Sequence, residues 1–232
     1  MDGPHENVAA VGVGVVVLGW PFPSPPSTRE PAAPAMAVSD SLAHPGLAIV
    51  VMGVSGCGKS TVAAMLAEAL GCSFIEADDY HSEANKAKMS AGVPLSDADR
   101  APWLESVRDA IRGRLDGGED VAVSCSALRL GYRDVLRAAD RAYEPGRYAA
   151  CRVRFVCLRA PAEVLAERVL RRSVEGEHFM PASLLRSQLD LLRVDPAEGV
   201  AEADATARPD DIVRDTVALF RDELAVSSGV PA

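Results

Sequence analysis

The stretch VVMGVSGCGKST, residues 50–61, passes from an apolar run through glycines to a lysine and two hydroxyls. Its centre, Gly53-Val54-Ser55-Gly56-Cys57-Gly58-Lys59-Ser60, fits the spacing GxxxxGK[ST]. The run LAIVVMG (47–53) leading into it reads as a strand buried on both faces, as in a parallel sheet. The segment KSTVAAMLAEAL (59–70) leading out of it puts Val62, Met65, Leu66 and Leu70 on one helical face, with Gly71 as a stop. Glycines at such a strand-to-helix turn admit backbone angles that side chains forbid, so successive N–H groups converge on one concavity. The helix N-terminus adds its partial positive charge. The reading is a phosphate loop for ATP, formed by Gly53, Val54, Ser55, Gly56, Cys57, Gly58, Lys59, Ser60 and Thr61. Lys59 reaches the β- and γ-phosphates, and the Ser60 hydroxyl completes a Mg2+ shell.

Outward from this turn, strand and helix patterns alternate. CSFIEAD (72–78), DVAVSCSAL (120–128), RVRFVCLRA (152–160) and a weak GVAEADA (199–205) read as further strands. WLESVRDAIRGRL (103–115), with Pro102 in its first turn, YRDVLRAA (132–139), APAEVLAERVLRR (160–172), SLLRSQLDLLRV (183–194) and PDDIVRDTVALFRDELA (209–225) read as helices, and another begins near Ser82. This order predicts an α/β fold, a parallel sheet wrapped by helices.

The 232 residues are 48% hydrophobic, enough for one sizeable core. Net charge is −9, with 33 acidic against 24 basic residues, which argues against nucleic acid as a partner. Only Lys59, Lys86 and Lys88 among the basic residues are lysines, which sets Lys59 apart from an arginine-rich background. The five cysteines form no CxxC pair, as expected for reduced thiols in the cytoplasm. Residues 1–45 differ from the rest. A Gly/Val run too short to cross a bilayer precedes PFPSPPSTREPAAPAMAV (21–38), whose prolines predict a disordered extension with neither a signal-peptide nor a transit-peptide pattern. The expected organisation is this extension, a P-loop domain over 46–226, and a tail over 227–232.

A nucleotide-hydrolysing switch and a small-molecule kinase share the phosphate loop, so the second strand has to separate them. It runs into EADDYHSEANKAKMSAGVPLSDADRAPWL (76–104), placing Asp78, Asp79 and His81 at a carboxyl edge, where ligands bind in open α/β sheets. Together GVSGCGKST, DDYHSEANKAKM, GVPLSDADRAPWL, CSALRLGYRDVLR (125–137) and EHFMPASLLRSQLDLL (177–192) resemble the gluconokinase family, especially its plant-type members, over roughly residues 47–225. The resemblance implies a P-loop kinase fold with a five-stranded parallel sheet and a mobile lid, similar to shikimate and nucleotide kinases. It also implies ATP-dependent phosphorylation of D-gluconate to 6-phospho-D-gluconate by a homodimer. A related kinase acting on shikimate or a nucleotide is the alternative, and a nucleotide-gated switch without an acceptor is a third reading.

On this pattern Asp78 hydrogen-bonds the substrate hydroxyl and either accepts its proton or helps hold Mg2+. No Asp ends the third strand, so Asp78 is left to cover both tasks. His81 is a candidate donor to a gluconate hydroxyl, or else caps the helix beginning near Ser82. The planar guanidinium of Arg100 or Arg133 suits the gluconate carboxylate, with Lys88 and Arg129 as further candidates. Ser96 and Asp99 have the spacing of a capping box, so Arg100 also reads as part of a helix start. The polar stretch RRSVEGEHFM (171–180) is the expected lid, with Arg168, Arg171 and Arg172 folding over the triphosphate and Arg172 stabilising transition-state charge. His178 and Phe179, with Gln188, are candidates for closing over the substrate, and residues 204–209 for the adenine side.

Overall fold

A computed structural model describes residues 45–174 and 183–228, all within the unit Asp40–Ala232. The expected extension before Pro45, most of the expected lid and the last four residues lie outside the described residues. Five strands, β1 (Ala48–Met52), β2 (Ser73–Glu76), β3 (Val121–Ser124), β4 (Val153–Arg159) and β5 (Ala201–Asp204), form one sheet in the order β2-β3-β1-β4-β5. Every adjacent pair is parallel. The helices are α1 (Lys59–Leu70), α2 (Glu83–Ser90), α3 (Asp97–Asp116), α4 (Leu130–Arg137), α5 (Ala162–Val174), α6 (Ser183–Leu191), α7 (Pro209–Leu219) and α8 (Arg221–Ser228).

The apolar run of β1 is continuous because both of its faces are covered. Ala48, Val50 and Met52 join Trp103, Leu104, Val107 and Ile111 of α3 and Leu136 of α4 in one core. Ile49 and Val51 join Val62 and Leu66 of α1, Leu165 of α5 and Ile212 and Val213 of α7 in the other. Burying each of these larger aliphatic side chains contributes about 1.5–3 kcal/mol, and β1, buried along its whole length, is held from both faces. The chain moves from β1 to one side of the sheet and from β3 to the other, so the β1 carboxyl end is the topological switch point where open α/β sheets bind ligands.

Two helix expectations are corrected. Helix α3 begins at Asp97, not in the turn of Pro102. Ser96 accepts from the Asp99 N–H while the Asp99 side chain accepts from the Ser96 N–H, a capping box that fixes the start. Pro102 lies inside the helix and removes one early hydrogen-bond donor. The final helix breaks at Phe220 (φ −102°, ψ 14°) into α7 and α8. Apolar residues continue at helical spacing across the break, so the pattern alone does not show it, and Phe220 is buried in the second core.

Candidate active site

The phosphate loop is held against its neighbours so closely that two glycines are obligatory. A Cβ on Gly53 (φ +141°) would lie 2.8 Å from both Cys57 Sγ and the Leu158 carbonyl oxygen, and one on Gly56 (φ +83°) 2.9 Å from the Leu165 carbonyl oxygen. The loop is thereby seated on the end of β4 and on α5. Gly58 opens α1 in the left-handed region, without a side-chain cap and without an acidic residue in the first turn. The first-turn N–H groups of α1 thus face no built-in carboxylate, the condition for receiving an anion. Lys59 Nζ donates to the Val54 carbonyl at 3.2 Å, Ser60 Oγ lies 3.4 Å from Ser124 Oγ, and the Ser55 N–H donates to Gln188 Oε1 at 2.7 Å.

The acidic edge of β2 lies one strand away. Ser124, the last residue of β3, is in register with Glu76 of β2 on one side and Val51 of β1 on the other. A 3₁₀ turn over Ala77–Tyr80 then carries Asp78 forward, with its N–H 3.5 Å from Glu76 Oε1. The following residue of the β3 edge, Cys125, feels both sides. Burial pushes its thiol up to about 12, with Asp78 and Glu76 adding to the rise and Lys59 opposing it.

His81 is buried, stacked on Trp103 with ring centroids 4.2 Å apart. The Trp103 Nε1–H donates to the Ala77 carbonyl at 2.7 Å, tying α3 to the Asp78 turn. His81 Nε2 lies 3.9 Å from Asp78 Oδ1, and its Nδ1 is buried with no hydrogen-bond partner among the described residues. Burial lowers the imidazole pKa below its ordinary value; Asp78 pushes back, and Arg100 and Lys86 lower it further. The result is a neutral ring near pH 7 with one buried nitrogen unsatisfied among the described residues. The Arg100 Nη1 donates to the Leu95 carbonyl and lies 3.4 Å from Tyr132 Oη. Ser55, Lys59, Asp78, His81, Arg100 and Gln188 line one cavity, walled by Met89, Leu95, Trp103, Leu128 and Leu184.

A second cavity opens on the other side of the loop. Gly56, Gly58 and Thr61 line it with Arg168, Arg171 and Arg172 of α5 and with Ala205, Ala207 and Pro209 from the expected adenine-side loop. The Arg168 Nη1 donates to the Ala205 carbonyl at 2.9 Å, joining α5 to that loop. Arg171 and Arg172 belong to the last turns of α5, so the segment expected as a lid begins as helix. His178 and Phe179 lie outside the described residues.

Some candidates are placed elsewhere. Arg133 is fully buried, its Nε and Nη2 gripping the Glu198 carboxylate at 2.7 and 2.6 Å and its Nη1 donating to the Ala127 carbonyl at 2.7 Å. This corrects its expected grip on the substrate carboxylate: its donors are committed inside the core, to a partner 65 residues away in sequence. Lys88 Nζ donates to Asp99 Oδ1 at 2.7 Å and supports the α3 capping box. With Ser96 it holds the Asp99 carboxyl at about 2. Arg129 pairs with Asp97 at 2.9 Å. Trp103 enters the sequence reading only as the first residue of the helical stretch 103–115, and nothing in that spacing marks the ring it stacks on.

For a divalent ion, the hydroxyl pair Ser60 and Ser124 lies at the β3 edge. Among the described residues no group of three His, Cys, Asp or Glu side chains forms a metal cage. That donor set suits magnesium, which takes most of its shell from phosphate oxygens and water.

A parallel sheet with a phosphate loop at its switch point, and separate cavities on the two sides of that loop, defines a P-loop kinase of small molecules. A family model described as an AAA domain matches residues 49–194. A gluconokinase of Arabidopsis thaliana is 47% identical over 179 residues, covering 77% of this chain and 95% of that protein. The crystal structure of a gluconokinase from Sinorhizobium meliloti 1021 shares 46% identity with a TM-score of 0.59, over 75% of this chain and 91% of that one. An unliganded sugar kinase from Janibacter sp. HTCC2649 shares 40% identity with a TM-score of 0.68, over 78% of this chain and 98% of that one. The chain belongs to the gluconokinase family. Among the described residues no helix is long and apolar enough to cross a membrane.

Proposed function

We infer that the chain transfers the γ-phosphoryl group of ATP to the 6-hydroxyl of D-gluconate, yielding 6-phospho-D-gluconate and ADP. Family membership supports this acceptor over shikimate or a nucleotide. The observation that carries the reading is the shared cavity: Ser55 and Lys59 of the phosphate loop face the same space as Asp78, His81 and Arg100. The triphosphate lies along the loop from the arginine-lined cavity, with its terminal phosphate at the acceptor cavity.

Asp78 orients the attacking hydroxyl and takes its proton as the new O–P bond forms and the bond to the β-phosphate oxygen breaks. Neutral His81, lining the same cavity, binds a second hydroxyl, and Arg100 attracts the gluconate carboxylate. Lys59 neutralises the β- and γ-phosphates, and Arg168, Arg171 and Arg172 surround the chain of phosphates, with Arg172 supporting charge in the transition state. Ser60 and Asp78 are the residues that would hold Mg2+, which would supply positive charge against the repulsion between the phosphates and the incoming hydroxyl. The proposal extends to a cytoplasmic homodimer without nucleic-acid or membrane partners. The five free cysteines support a reducing compartment, and light scattering of the purified chain tests the dimer.

Phosphoryl transfer from ATP to a panel of D-gluconate, shikimate and nucleoside monophosphates tests the acceptor. The expected result is ADP formation dependent on D-gluconate, with phosphorus resonances of a primary phosphate ester. Preference for another member of the panel, or ADP formation indifferent to all of them, would refute it.

A further inference from the structure

The Ser55 N–H donates to the side-chain oxygen of Gln188, 133 residues away on α6, at 2.7 Å. Because the donor is a backbone amide, the atom facing it is the oxygen, and the orientation of the Gln188 amide is fixed in this state. In a loop built to surround anions, such an N–H belongs to a phosphate oxygen. Its position says which one. Ser55 and Lys59 line the acceptor cavity with Gln188 and Asp78, whereas Gly56, Cys57 and Gly58 line the opposite cavity with the α5 arginines. Ser55 therefore lies at the end of the cradle where the transferable phosphate meets its acceptor. Lys59, the cation for the same phosphate, likewise rests on a main-chain oxygen of the loop, that of Val54.

An incoming phosphate oxygen and the Gln188 oxygen cannot both accept from one N–H, and the anion repels the amide oxygen. A half-turn about the terminal torsion of the side chain, which is broad and two-fold, exchanges Oε1 for Nε2. The same side chain then presents a donor at the same place.

We propose that Gln188 occupies the terminal-phosphate position when it is empty and becomes a ligand of that phosphate when ATP binds, so that it discriminates triphosphate from diphosphate. The proposal rests on the ATP-dependent reading of the site. Gln188, Leu184 and Ser187 all line the acceptor cavity. The same contact therefore ties one wall of that cavity to the nucleotide state.

The test is calorimetric binding of Mg2+ with ADP, and of Mg2+ with the non-hydrolysable β,γ-imido analogue of ATP, to the full chain and to Gln188→Glu and Gln188→Ala. The glutamate keeps an acceptor for Ser55 but has no donor and carries a charge. It is expected to weaken the analogue at least tenfold and ADP less than threefold. The alanine removes donor and acceptor together without adding charge and is expected to weaken the analogue about fivefold relative to ADP. A residue with a merely structural role would weaken both nucleotides together, so an analogue-to-ADP ratio within twofold of wild type in both variants would overturn the proposal. Retained ADP binding reports that each variant is folded, and the alanine variant carries the test if the glutamate variant does not fold. Failure of the wild-type chain to bind either nucleotide would instead overturn the ATP reading and this proposal with it.

Discussion

His81 lies flat on Trp103, with the two ring planes 14° from parallel. The stack does more than fill space, because the same indole donates to the carbonyl of Ala77, the residue before Asp78. One side chain of α3 thus sets the position of two candidate substrate-binding residues on the neighbouring turn.

Trp103→Phe keeps an aromatic face but leaves the Ala77 carbonyl without its donor. The expected loss is about 1–3 kcal/mol of stability, the cost of an unsatisfied buried polar group. The KM for D-gluconate should rise more than the KM for ATP. Urea unfolding and steady-state kinetics check both parts, and a change confined to ATP would count against this role of the indole.

The pH dependence of stability follows from His81. Its folded pKa is below the ordinary 6.5, chiefly through burial. As the pH falls through 6.5 the unfolded chain takes up a proton that the folded chain resists, so this contribution to stability is complete above that pH and declines below it. Replacing His81 with Gln should flatten this part of the profile. The check is the urea midpoint of both proteins at pH 7.5 and pH 5.5; equal declines would show that His81 is not the group responsible.

Glu198 accepts from Arg133 at 2.6 Å and from Arg137 at 3.3 Å, and all three side chains are buried. Burial alone would raise the Glu198 carboxyl, but the two guanidinium groups and the Asp195 N–H hold it below its ordinary value. Glu198→Ala leaves Arg133 buried without a carboxylate partner and Arg137 with Asp134 alone at 3.0 Å, and should cost about 3–5 kcal/mol, measured by chemical unfolding. Arg133→Lys should also destabilise, since an ammonium cannot reproduce the forked contact.

Gly56→Ala should act on the nucleotide. The substituted Cβ would meet the Leu165 carbonyl at 2.9 Å, in a left-handed backbone region where an L-residue costs about 1–2 kcal/mol. Movement of α5 away from the loop carries Arg168, Arg171 and Arg172 with it. Calorimetry should show ADP affinity reduced about tenfold or more, equivalent to about 1.4 kcal/mol.

The parts of the site legible in sequence are those written locally. Residues 53–61 carry their own geometry, because Gly53, Gly56 and Gly58 each take a positive φ within the strand-turn-helix unit. The true start of α3 is also written locally, in Ser96 and Asp99, although Pro102 offers a competing start that the structure overrides. Arg133 shows the opposite case. Its residue type suits a carboxylate ligand or a buried ion pair equally, and the partner that decides between them, Glu198, comes from a distant loop. Trp103 is similar: only the tertiary fold brings it against His81. The break at Phe220 is hidden because the apolar spacing of α7 continues into α8.

The central claim is that the Asp78 turn and the phosphate loop serve a single reacting hydroxyl. Its most direct test is the D-gluconate-dependent turnover of Asp78→Asn, with ATP-analogue binding measured alongside. The asparagine keeps the size of the side chain but cannot take a proton, so kcat should fall by about 10²–10⁴ while nucleotide affinity stays within a few-fold of wild type. Turnover close to wild type would contradict the claim.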